Sequence, residues 1–138
     1  MLFSAQVRPG YHSVSAGSSI AFSEVVSNVG NHYDPSAFVF TCPYTGFYEF
    51  SLAVTVDQFQ HGQFALIDSS QNVYLLAEAE AANTVVSVAN TVIVHCNAAT
   101  HIQAVAYTQN VVIVGGDGMS FSAEFITSSK TLNCVICP

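Results

Sequence analysis

At 138 residues the chain has the length of one domain and can bury a core, and it is 51% hydrophobic but only 8% charged. Two basic residues, Arg8 and Lys130, stand against nine acidic ones, for a net charge of −7. Nucleic-acid binding is close to excluded by this balance, because neutralising phosphates takes many Lys and Arg, and an anionic membrane surface is disfavoured for the same reason. No apolar run approaches the roughly 18 residues of a membrane span, so no membrane insertion is expected. So few charges over so much apolar surface fit a chain that covers part of that surface with copies of itself.

Alternation of period two over β-branched and aromatic residues, broken by short turn clusters, runs along the chain. Strands are predicted over residues 3–8 and 20–27, then over 38–42 after the turn-rich stretch 28–35. Residues 46–57 make the longest clean strand. Strands over 62–67 and 72–77 flank the turn Asp68-Ser69-Ser70-Gln71, and strands over 84–95 and 102–108 flank Asn97-Ala98-Ala99-Thr100. A final strand over 119–127 follows a turn at Gly115-Gly116-Asp117-Gly118. Residues 75–82 (LLAEAEAA) have high helix propensity, but eight residues make a marginal helix between strand-like flanks, so strand then loop is expected.

About ten short antiparallel strands without a helix predict an all-β jelly-roll β-sandwich. Phe38, Phe40 and Cys42 should share an inward face, as should Tyr48, Phe50 and Leu52. Gly46 opens a strand where a missing side chain or a positive φ is useful. The globular domain is expected over residues 1–127, with a cysteine-containing tail over 128–138. Cys42, facing inward, is expected as a buried, inert thiol. Cys96, Cys134 and Cys137 are open to pairing within or between chains, and an even cysteine count hints at an oxidising compartment.

Phe22, Asn28, Tyr33, Phe40, Gly46, Tyr48 and Phe50 keep a distinctive spacing, with Leu52 at an eighth position that would be aromatic. That spacing, with Asn31-His32-Tyr33-Asp34-Pro35, Phe40-Thr41-Cys42-Pro43 and Ser120-Phe121-Ser122-Ala123 around it, resembles the C1q globular-domain family over about residues 3–127. The resemblance implies a ten-stranded jelly roll and a trimeric assembly. Ala123 and Glu124 depart from it, standing where the family usually has Gly and an aromatic; Glu124 should face solvent or a subunit boundary.

Glu78, Glu80 and Asn83 form the densest acidic segment. The resemblance implies that an acidic residue in this loop region helps bind calcium, for which loop oxygens are suited; a solvated acidic loop is the plain alternative. Asp117 and Gly116, in the glycine-rich turn, are candidates for contact with a sugar, where glycines let backbone N–H groups approach, although a simple turn explains them as well. Tyr107 and Tyr74 are candidate platforms for sugar C–H faces, since the chain has no Trp. His95 and His101 flank one predicted turn and could meet across a hairpin, but His12, His32, His61, His95 and His101 form no zinc-ligand pattern. No nucleophile elbow, zincin motif or phosphate cradle is present, so no enzyme is expected.

The resemblance therefore implies a secreted, non-catalytic recognition domain, a lectin-like homotrimeric head that binds carbohydrate or other microbial surface patterns in innate immunity. Arg8 and Lys130, both expected toward the base, leave neutral donors to meet the ligand, so neutral glycans or proteins are the expected partners. No cofactor is required, with calcium the one candidate. The alternatives are a secreted receptor-binding or adhesive ligand of the C1q and tumour necrosis factor-like type, and an acidic calcium-binding component of the extracellular matrix.

Overall fold

A computed structural model describes residues 1–128. The expectations for Lys130, Cys134 and Cys137 lie outside the described residues. Ten strands follow one another: β1 (Leu2–Val14), β2 (Glu24–Val29), β3 (Tyr33–Asp34), β4 (Val39–Thr41), β5 (Gly46–Val56), β6 (His61–Asp68), β7 (Val73–Glu80), β8 (Val86–Cys96), β9 (His101–Ala106) and β10 (Val111–Thr127). They make two five-stranded antiparallel sheets, ordered β2-β1-β10-β5-β8 and β3-β4-β9-β6-β7. The jelly-roll sandwich expected from the alternation is the fold found.

β5 shows why the alternation is informative. Gly46, Tyr48, Phe50, Leu52, Val54 and Val56 all point into the core, while most residues between them are half-exposed. Side chains from both sheets meet there. Phe3 of β1 stacks on Tyr33 of β3 with ring centroids 4.6 Å apart, and on Phe40 of β4 at 4.9 Å. Phe121 of β10 meets Phe3 edge-on at 4.9 Å. Each fully buried aromatic contributes about 1.5–3 kcal/mol in transfer energy, so the spaced aromatics are the glue between the sheets. Gly46 is required by close approach and not by backbone conformation: a Cβ there would lie 2.5 Å from the Thr127 carbonyl oxygen.

Four expectations about elements need correction. Phe38 is not on the strand with Phe40 and Cys42; it has a φ of 60° and closes the β3–β4 turn, half-buried. Residues 20–27 are not one strand, because Ile20 and Phe22 are pulled into the core before β2 begins, with Ile20 N donating to Ala104 O at 2.8 Å. The expected turn at 115–118 is the interior of the 17-residue β10. There β10 breaks register with both neighbours, between Gln6 and Gly10 of β1 and between Ile113 and Ser120 on the β5 side, which is how a strand absorbs extra residues without turning. Finally, β8 and β9 belong to different sheets, so His95 and His101 do not meet across a hairpin. His95 packs edge-on against Phe47 at 5.3 Å, and His101 bonds to Thr41.

Candidate functional site

An open pocket of about 550 Å³ lies at the β3–β4–β9 end, lined by polar Asn31, His32, Asp34, Thr41 and His101 with Pro35, Ala37 and Val39. Its walls come from a local turn, a tight hairpin and a distant strand. Asn28 builds the turn. Its side-chain amide donates to Tyr33 O at 2.8 Å and to Asn31 Oδ1 at 3.3 Å, and its Oδ1 accepts from Tyr33 N at 3.1 Å. Gly30 at φ +88° and Asn31 at φ 60° turn the chain through the left-handed region, where Gly and Asn are the least strained. Gly30 also leaves room for the His32 ring, since a Cβ there would lie 2.5 Å from Nε2.

Below the turn the wall is anchored in the core. Tyr33 O–H donates to Phe22 O at 2.6 Å, and burial, with the nearby Asp34 carboxylate adding to it, pushes the phenol well above its ordinary pKa. Asp34 organises the hairpin: its Oδ1 accepts from Ser36 N at 2.8 Å and from Ala37 N at 3.3 Å. Thr41 N donates to His32 O at 2.9 Å, and the Thr41 hydroxyl pairs with His101 Nδ1 at 2.9 Å. The pocket thus presents two imidazoles, a hydroxyl, an amide and one carboxylate beside small apolar surfaces. Neither Arg nor Lys lines it. Such a set can donate and accept hydrogen bonds with hydroxyl-rich ligands but holds no fixed cation for a sulphate or phosphate.

The C1q domain model matches residues 2–114. The chain belongs to the C1q domain family. Among solved structures it is similar to the globular domain of zebrafish complement 1qA protein, with a TM-score of 0.70 at 10% identity, covering 93% of this chain and 98% of that one. It is also similar to murine APRIL at pH 5.0, with a TM-score of 0.67 at 11% identity over 91% of this chain and 98% of that one, and to murine APRIL at pH 8.5, with 0.64 at 12% over 91% and 100%. At such identities the likeness carries the fold alone. No curated protein sequence matches the chain.

In this C1q domain the residues singled out from sequence fall in separate places. Gly116, at φ +115°, and exposed Asp117 sit in the β10 bulge, where Gly116 pairs with Val7. Arg8 is next to that bulge and not at the base, because β1 continues past it to Val14. Tyr107 follows β9, partly exposed, with its N–H on Gln63 O at 2.7 Å. Tyr74 is on β7, its ring 6.3 Å from Phe50 and its O–H donating to Asp68 Oδ2 at 3.0 Å. No hydrogen bond or ring contact among the described residues joins Asp117, Tyr107 and Tyr74.

Glu78 and Glu80, expected in a loop, lie instead on the exposed face of β7, because the strand runs on to Glu80; Asn83 lies in the bend beyond. Glu78 is already engaged. It accepts from Gln63 Nε2 at 2.9 Å and lies 3.2 Å from His61 Nε2, and these partners, Gln63 first, hold its carboxyl below the usual range. Among the described residues no three His, Cys, Asp or Glu side chains converge as metal ligands. The pocket residues Asp34, Thr41 and His101 were not candidates. In the sequence Asp34 flanks the signature Tyr33 and Thr41 flanks the signature Phe40; His101 comes from a distant strand that only the sheet order brings near.

Proposed function

We propose that this C1q domain is a secreted, non-catalytic recognition head that assembles as a homotrimer and binds neutral glycan surfaces, as a lectin-like component of innate immunity. One observation carries the ligand class: the pocket around Asp34 and His101 offers side-chain hydrogen-bond donors and acceptors and has no Lys or Arg. Trimer formation is supported by exposed apolar side chains, Val26 at 64%, Val29 at 59% and Ile93 at 57%, on the edge strands β2 and β8. Packed copies would cover such surface.

A glycan array probed with wild type and with Thr41→Ala/His101→Ala tests the reading. Neutral glycans should bind at near-neutral pH and lose most of their signal in the double variant. Tight binding of sialylated glycans that survives EDTA, or equal binding by both proteins, would sink it. Light scattering at micromolar concentration should give the mass of three chains; a monomer removes the assembly.

Calcium enters this reading only through assembly. Glu78, Glu80 and Asn83 supply too few oxygens in one chain for an ion that takes about 6–8 ligands. Symmetric copies would multiply them and offset the repulsion between chains of charge −7. Calcium should then raise the melting temperature of wild type and not of Glu78→Gln/Glu80→Gln; equal shifts would remove these residues from the site.

A further inference from the structure

Cys42 follows β4 in one sheet, and Cys96 ends β8, the edge strand of the other. Both are buried, at 0% and 1% exposure, in one apolar cluster. The turn after Cys96 brings them together. Cys42 N donates to Thr100 O at 2.9 Å, and Ala99 N donates to Cys42 O at 2.8 Å. These bonds lock the backbone at Cys42 onto a turn that starts one residue after Cys96. A third, from Ala98 N to Thr45 Oγ1 at 2.9 Å, holds the same turn to the chain just beyond Cys42. Cys96 itself pairs in register with Gly46. In the structure both are free thiols, and Cys96 Sγ donates to the neighbouring Asn97 O at 3.7 Å.

Other uses of such a pair are poorly served. Both thiols are buried, and neither lines the pocket around Asp34 and His101. No third His, Cys, Asp or Glu completes a metal set among the described residues. We propose that Cys42 and Cys96 form a disulfide that staples the two sheets at the pocket end of the sandwich. The staple would fix the backbone between Thr41 and His101, the two residues whose side chains bond across the pocket wall.

The oxidant is a small-molecule disulfide such as oxidised glutathione, acting before the sheets close over the thiols. The first of the two to lose its proton attacks one sulfur of the oxidant, and the other sulfur leaves as a thiolate. The second cysteine then loses its proton and attacks the protein sulfur of that mixed disulfide, releasing the second thiolate. Two protein thiols are oxidised, one external disulfide is reduced to two thiols, and the two thiol protons pass to solvent and the leaving thiolates. Once folded, burial keeps reductants from the bond.

The full chain, refolded in a glutathione redox buffer, should be unfolded in denaturant with iodoacetamide and no reductant, then digested and mapped by mass spectrometry. The expected result is a Cys42–Cys96 linked peptide, lighter by two hydrogens than its reduced parts, retained in a Cys134→Ser/Cys137→Ser variant. Alkylation of both Cys42 and Cys96, or linkage of either to Cys134 or Cys137, overturns the proposal. Melting provides a second readout. Cys42→Ser, Cys96→Ser and the double variant should each lose about 10 °C against the oxidised protein, by the same amount, because one bond is lost in all three. Losses that add in the double variant would contradict a shared bond. If the serine variants do not fold, the peptide map of wild type still decides.

Discussion

Two polar regions of this domain make an instructive contrast: the pocket around Asp34 and His101, and the acidic strand β7. On β7 the carboxylates are close in sequence, Glu78 and Glu80, and stand two residues apart on one exposed face. Their density in the chain puts them in water, where Glu78 is engaged by Gln63 and His61. The pocket residues are spread from Asn31 to His101, yet a turn, a hairpin and a sheet neighbour aim them at one volume. Clustering along the chain and convergence in space are different properties. An alternating edge strand disperses what it carries, whereas the end of a sandwich gathers it.

Both regions rest on Phe50, which has Phe40 at 6.0 Å on the pocket side and Tyr74 at 6.3 Å on the β7 side. Phe50→Ala should therefore cost about 3–5 kcal/mol by chemical denaturation, with both regions loosened. A loss near zero would break the view that a common aromatic core supports them. Asn28→Ala acts on the pocket alone. Removing the side-chain bonds to Tyr33 and Asn31 should cost about 1–3 kcal/mol and speed amide exchange at the pocket turn while β7 stays protected. Equal acceleration in β7 would erase the distinction.

Asp68 tests the hairpin that carries β7. Burial pushes its carboxyl up, but hydrogen bonds from Asn72, Tyr74 and Ser70 outweigh that and hold it below the ordinary carboxylate value. A lowered folded pKa means stability that is complete above the unfolded value of about 3.9 and is lost as pH falls through the folded one. The gap in urea midpoint between wild type and Asp68→Asn should therefore be widest at neutral pH and close in acid; a constant gap refutes the assignment. Glu78→Gln comes last. Its partners are solvent-exposed, so the melting temperature of the calcium-free protein should not change measurably, and a clear drop would make β7 more structured than an exposed polar face.

How much was legible follows residue type. Tyr48, Phe50 and Leu52 were placed inward from alternation, and all three are fully buried, because a half-buried strand forces period two on its side chains. The spaced aromatics revealed the family for the same reason: two sheets about 10 Å apart need large side chains at fixed places. The β10 bulge was read as a turn because four residues, three of them glycine, look alike whether a chain reverses or merely slips register. Phe38 was drawn into the following strand because nothing in its own identity announces a positive φ.

The sequence by itself determined the all-β class, the inward faces and the family, since hydrophobic period and aromatic spacing are local and repeat along the chain. It could not determine which distant segments become neighbours. That His101 reaches Thr41, that Cys42 is held to the turn after Cys96, and that His95 and His101 part company are consequences of sheet order. Strand pairing is set by the joint packing of two sheets, and the backbone hydrogen bonds that bring Cys42 to the turn after Cys96 are made by groups that every residue carries alike.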